Sequence, residues 1–292
     1  MTSLPTPLRT PLRRERFELT NEHGLAIRGE VWHPDPLRGA VIVCHGFKGF
    51  SRWGFFPYLA EELARSGLRA ITFDFSGSGV GADGESFTEA DAFRNNSFTR
   101  ELEDLALVER EAGRRGWLPE RYGLFGHSRG GGMAVLHAAR PAQGTSSVGA
   151  LVTWAAISTV ARWTPADVTR WREQGHIDVV NARTGQVLQL GLRTLDEIER
   201  LGASELDILA AAASVRAPWL IIHGTADDTV PLEDAERLHR AAAAGVARLS
   251  PIGGAGHTLD ATHPLRAPPP ARLERAVAMT VGFFRTHLPP PG

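Results

Sequence analysis

The residues best equipped for chemistry are gathered in Gly126-His127-Ser128-Arg129-Gly130. A β-prone run, Tyr122 to Phe125, precedes them, and an apolar, small-residue helical pattern follows to Ala139. A strand that turns sharply into a helix through Gly-x-Ser-x-Gly presents its serine at the turn, an arrangement known as the nucleophile elbow. The turn strains the serine backbone, and bulky side chains two positions away on either side would clash, so glycine stands at both. The hydroxyl is then placed above the amino end of the next helix. Free N–H groups and a positive partial charge are available there to an oxyanion.

A serine nucleophile needs a base to take its proton and a third group to orient that base. After an elbow the expected order is Ser, then Asp or Glu, then His. The apolar run Trp219–His223 leads into Gly224-Thr225-Ala226-Asp227-Asp228, which puts an acid within one turn of a buried strand. Asp227 is the assigned acid, with adjacent Asp228 as the alternative and an Asx-turn or helix cap as the role left for the other. The base is His257, in the glycine-rich loop Gly253–His257 after the last short strand; His263 is the fallback, but no strand leads into it. The oxyanion donors are assigned to the backbone N–H of Arg129, which follows the nucleophile, and of Phe47, in His45-Gly46-Phe47-Lys48-Gly49 after the first central strand. His45 is read as holding that loop and Asp74 as bracing the loop Ser76–Gly84. Lys48 and Arg52, near the oxyanion loop, are candidates to attract a substrate carboxylate, although exposed basic residues more often do nothing of the kind, and neither is assigned to the site. Trp154, Trp163 and Trp171 are candidates for the wall of an acyl or aromatic pocket, or simply for packing.

These side chains require a scaffold that delivers loops to one rim. Phe17–Thr20 and Leu25–Trp32 read as a hairpin turning at Asn21–Gly24, and Ala40–Cys44 as a strand buried on both faces. Tyr58–Ser66 reads as a helix capped by Gly67, Leu68–Phe73 as a strand closing on Asp74, residues 75–98 as a glycine-rich loop and Thr99–Arg115 as a helix. After the elbow come Val148–Trp154, Pro218–His223 and Ala247–Pro251 as strands, with Glu233–Ala244 and Arg272–His287 as helices. This alternation predicts an α/β fold, a mostly parallel central sheet with helices on both faces, whose ligands bind beyond the carboxyl ends of the strands. The core is expected over 16–154 and 210–287. Residues 155–209, with a candidate hairpin Ile177–Leu190 turning at Asn181–Gly185, break the pattern as an inserted lid, and 1–15 and 288–292 are loose termini.

Composition narrows the partners. A net charge of −1 over 292 residues excludes the basic face that nucleic acid or an anionic membrane demands. The single cysteine, Cys44, ends an apolar strand and reads as a buried, inert thiol, with no disulfide framework and no metal cluster. No segment has the length to span a bilayer and the amino-terminal residues lack a signal-like apolar core, so a cytoplasmic protein is expected. A homodimer stays open.

HGFKG, GHSRG, HGTADDTVP and GAGH, taken in this order, resemble the α/β-hydrolase family over about residues 16–287. The first two look closest to its serine-aminopeptidase-like, acyl-peptidase and cinnamoyl (feruloyl) esterase branch. HGFKG departs from the lipase-type HGGG, having Phe47 and Lys48 in its place, and a serine at the elbow disfavours dehalogenase and epoxide-hydrolase chemistry. The resemblance implies a hydrolase of small to medium or aromatic carboxylic esters, working through an acyl-enzyme without a cofactor. Thioesterase and acyl-peptide or aminopeptidase-type activity use the same triad and are the alternatives. A ligand-binding protein on a hydrolase scaffold is the remote one.

Overall fold

Gly39–Cys44 (β3) is buried at every position, and its side chains divide between two apolar clusters. Ala40, Ile42 and Cys44 point to one side, Val41 and Val43 to the other. That is the signature of a central strand with a layer of helices on each face. The computed structural model describes residues 11–141, 146–181, 185–288 and 290. Strands β1 (Arg13–Thr20), β2 (Ala26–His33), β4 (Leu68–Asp74), β5 (Arg121–His127), β6 (Ser147–Trp154), β9 (Trp219–Gly224) and β10 (Ala247–Ile252) join β3 in an eight-stranded sheet ordered β1-β2-β4-β3-β5-β6-β9-β10. The hairpin β1–β2 and its junction with β4 are antiparallel; every other pairing is parallel.

On one face lie α3 (Phe98–Arg114), α4 (Arg129–Ala138), α7 (Ile208–Ser214) and α8 (Leu232–Ala241); on the other lie α1 (Phe56–Arg65) and α9 (Ala271–His287). Each large apolar side chain so buried contributes roughly 1.5–3 kcal/mol. A third cluster forms where the insert, α5 (Pro165–Gln174), the hairpin β7 (His176–Val180) and β8 (Val187–Gly191), and α6 (Leu192–Leu201), packs on Phe50, Val80, Phe87 and Phe93.

Several expectations are corrected. Pairing in β1 begins at Arg13, opposite His33, so residues 13–15 are strand and not loose arm. Leu288 is buried among the residues of α1 and α9 and is not part of a loose tail. The loop 75–98 contains a short helix, α2 (Ala90–Arg94). Ala156, Ile157 and Val160 at the start of the insert, and Leu206 and Ile208 at its end, belong to the main core, so the excursion is shorter than 155–209. Of the turn expected at Asn181–Gly185, residues 182–184 lie outside the described residues, as do 1–10.

Candidate functional site

The strand order reverses at β3, so the loops following β3 and β5 rise side by side, the crevice where ligands of such sheets bind. Ser128 stands there with φ 56° and ψ −123°, a conformation that L-residues rarely adopt. Its surroundings explain the glycines. A Cβ on Gly126 would lie 2.3 Å from the Gly130 carbonyl oxygen, and one on Gly130 only 2.1 Å from that of His45. A Cβ on Gly46 would meet the Ser128 Cβ at 2.9 Å, a constraint that the motif spacing did not announce. Ser128 occupies the N-cap of α4, yet its side chain makes no cap hydrogen bond. The hydroxyl is left for another partner.

That partner is His257. Its Nε2 lies 3.1 Å from Ser128 Oγ, and its Nδ1 lies 2.9 Å from Asp227 Oδ2. Asp227 sits just beyond β9 with its side chain fully buried. Its Oδ1 accepts the backbone N–H of Thr229 and of Val230, each at 2.9 Å, and Oδ2 lies 3.4 Å from Nε2 of the buried His223. Burial alone would raise this carboxyl. The adjacent His223 imidazole, the hydrogen bond from His257 and the Val230 N–H outweigh it and hold the group below the usual carboxylate range. An ionised Asp227 only accepts, so the Nδ1 of His257 carries the hydrogen and Nε2 presents a lone pair to the serine hydroxyl. Asp228 is exposed, its carboxylate 3.3 Å from the Thr229 hydroxyl, and it does not reach the imidazole. His263 accepts the Gly54 N–H at 2.9 Å and packs against Phe50 and Trp53, whereas it is His257 that meets the serine.

Arg129 is the first residue of α4, where no intrahelical acceptor exists for the N–H. Among the described residues the Phe47 N–H has no backbone acceptor either. His45 braces the Phe47 loop: Nδ1 donates to the Gly46 carbonyl at 2.8 Å and Nε2 accepts the Phe75 N–H at 3.1 Å. Asp74 accepts the Ser51 N–H at 2.5 Å, so it braces this same loop and not Ser76–Gly84. Lys48 and Arg52 donate to the carbonyls of Val180 and Asp83 at 3.4 and 3.2 Å.

The aromatic pocket needs correction. Trp154 points into the core below, 5.0 Å from Phe125 and 5.1 Å from Phe55, with Nε1 donating to Thr280 Oγ1 at 2.9 Å. Trp171 is fully buried inside the insert, 5.0 Å from Trp163; only Trp163 is half-exposed. Position in the sequence gave no sign of which face each indole takes. A groove of about 580 Å³, lined by Arg14, Glu30, Trp32, Ser51 and Asp74 among others, opens at the β1–β2 hairpin, and none of Ser128, Asp227 or His257 lines it.

One residue that holds the His257 loop escaped the sequence reading. His127, the x before the nucleophile, is buried against Phe55 and donates from Nε2 to the backbone carbonyl of His257 at 3.0 Å. Burial, then the neighbouring His257, pushes its imidazole down to about 3, so it stays neutral. Glu22, His23 and Glu103 are the described residues whose donors converge closely enough for a metal ion; they are surface groups outside this site. No described helix is long and apolar enough to cross a membrane.

The sheet order, with a serine-bearing turn between β5 and α4, defines an α/β-hydrolase fold. A sequence profile of the alpha/beta hydrolase family matches residues 41–268, and the chain belongs to that family. None of the curated proteins compared matches it in sequence. Solved structures share the fold at low identity. A putative hydrolase from Agrobacterium vitis S4 aligns with TM-score 0.71 at 20% identity, over 94% of this chain and all (100%) of that one. Est1E from Butyrivibrio proteoclasticus, with ferulic acid bound, gives 0.72 at 18% over 93% and 98% of the two chains. A monoacylglycerol lipase from Paleococcus ferrophilus gives 0.61 at 18% over 95% and 100%.

Proposed function

We propose that this hydrolase cleaves carboxylic esters through an acyl-enzyme on Ser128, with His257 as general base and acid and Asp227 as its orienting carboxylate. One observation carries the reading. The His257 ring bridges Asp227 and Ser128 through its two different nitrogens, at 2.9 and 3.1 Å. As Oγ attacks the acyl carbon, its proton passes to Nε2, and Asp227 stabilises the imidazolium that forms. The carbonyl oxygen becomes an oxyanion held by the Phe47 and Arg129 N–H groups, each worth about 3 kcal/mol in the transition state. Collapse of the tetrahedral intermediate breaks the C–O bond, and Nε2 returns the proton to the departing alcohol. Water then attacks the acyl-enzyme by the same route, releasing the acid and restoring the serine.

The acyl group is apolar or aromatic. Phe47 belongs to the rim of the cluster built by Phe50, Phe87 and Phe93, with half-exposed Trp163 also packed on it, and the insert serves as the lid over this surface. The Est1E structure with ferulic acid and the monoacylglycerol lipase supply esterase and lipase precedents for the fold. The test is hydrolysis of p-nitrophenyl acetate and butyrate, methyl ferulate, an acyl-CoA and an aminoacyl anilide by the purified protein. Oxyester turnover exceeding the other two classes is expected. Preference for the thioester or the anilide, with esters untouched, would overturn the ester reading.

A further inference from the structure

The two residues whose N–H groups line the oxyanion site also touch through their side chains. The Arg129 guanidinium carbon lies 5.3 Å from the centre of the Phe47 ring and 3.8 Å from that of Phe98, within cation–π range of both. Phe93 stacks on Phe47 at 5.6 Å. The guanidinium is buried, and its Nε donates to Glu101 Oε2 at 3.0 Å. Glu101 is held in turn, its Oε1 accepting Asn96 Nδ2 at 2.8 Å. The insert grips this same segment: Thr194 donates to the Asn96 carbonyl at 2.7 Å, and Glu197 accepts the Thr99 N–H at 3.1 Å.

An ion pair taken out of water is poor value as a stabiliser, because desolvation offsets most of its Coulombic gain. Here, moreover, Arg129 Nη2 is buried with no hydrogen-bond partner among the described residues. A guanidinium kept so incompletely satisfied is better explained by where it sits than by stability. It joins the loop after β3 to the turn after β5, the two separate segments that must present their N–H groups at a fixed spacing.

We infer that Glu101 and the Arg129 side chain are positioning residues for the reaction. The ion pair holds the guanidinium against the Phe47 ring and thereby sets the separation of the two oxyanion donors. The inference rests on the serine-hydrolase reading above, and the side chain can be tested apart from it because substitution at 129 leaves the backbone N–H in place.

The experiment compares wild type with Arg129→Met, Arg129→Lys and Glu101→Gln. Ester kcat and KM are measured together with inhibition by phenylboronic acid, which becomes tetrahedral on the serine and mimics the transition state. Arg129→Met should lower kcat ten- to a hundredfold with KM within threefold, and weaken the boronic acid by a similar factor. Arg129→Lys should recover part of the loss, and Glu101→Gln should lose about tenfold. If Arg129→Met does not fold, Glu101→Gln alone decides. Variants that melt earlier yet keep kcat and boronic-acid affinity within twofold at 25 °C overturn the inference and leave the ion pair a structural brace. Absence of any Ser128-dependent hydrolysis in wild type overturns the serine-hydrolase reading, and the positioning role with it.

Discussion

Two clusters of hydroxyl, imidazole and carboxylate sit at opposite ends of the β5–α4 unit. At the carboxyl end of β5, Ser128, His257 and Asp227 meet through two different ring nitrogens. At its amino end, Tyr122 lies 3.4 Å from His137 and Glu109 lies 2.8 Å from it, but both contacts fall on Nε2, while Nδ1 is buried without a partner among the described residues. A nitrogen that donates its hydrogen to Glu109 has no lone pair left to take a proton from the tyrosine. Burial, and then the adjacent Glu109, raises the phenol well above its ordinary value, so it is a poor nucleophile. Helix polarity separates the ends as well. Ser128 stands at the N-terminus of α4, where N–H groups point outward; His137 lies in its last turn, where carbonyls do. The same three functional groups make a candidate reaction centre at one end and a structural brace at the other. Ring-nitrogen usage and helix polarity decide which.

Mutations sharpen the contrast. Ser128→Ala should fold normally and lose about 10⁴–10⁶-fold in kcat on a p-nitrophenyl ester; turnover within tenfold of wild type breaks the distinction outright. Asp227→Asn, which favours the wrong imidazole tautomer, should cost on the order of 10³–10⁴-fold, whereas Asp228→Asn should stay within threefold. Because Asp227 is held below the usual carboxylate range, the loss of kcat/KM on acidification should not follow this carboxylate, and Asp228→Asn should leave the profile unmoved.

His127→Phe removes the hydrogen bond to the His257 carbonyl and should lower kcat about tenfold. It also carries a pH signature. The unfolded chain binds a proton at this imidazole near pH 6.5, the folded chain only near 3. The unfolded state therefore holds more protons in that window. The residue's contribution to stability is complete above about 6.5 and is lost as the pH falls toward 3, at up to about 1.4 kcal/mol per unit. Thermal melts should show wild type losing ground to His127→Phe between pH 7 and 4; a constant difference contradicts this. The smallest effect belongs to the amino-end cluster. Tyr122→Phe should leave kcat/KM within twofold and cost about 1 kcal/mol in denaturant titration, and a tenfold activity loss there would erase the comparison.

Much of the rim was legible in the sequence because backbone geometry dictates it. Gly126 and Gly130 are demanded by contacts of 2.3 and 2.1 Å, and the acid and the histidine lie in the loops that follow strands of recognisable composition. Residues whose roles depend on side-chain direction were not legible. Trp154 ends a strand that leads toward the site, yet its indole faces the α1–α9 layer. His127 looked like the free position of a motif and proved to hold the His257 loop. Glu101 lies in the first turn of a helix that precedes the elbow, and no spacing rule links it to Arg129. Asp74 was expected to brace one loop and braces the other, since a strand-end carboxylate can turn to either. The insert showed its existence by breaking the alternation, but that Ala156, Ile157 and Leu206 at its two ends belong to the main core is a packing outcome with no local signal.

The most direct measurement is intact-protein and peptide mass spectrometry after exposure to a fluorophosphonate. One phosphonyl group per chain is expected, on the peptide bearing Ser128, with labelling slowed at least a hundredfold in His257→Ala. A protein that stays unlabelled, or an adduct on any other residue, contradicts the assignment of Ser128 as an imidazole-activated nucleophile.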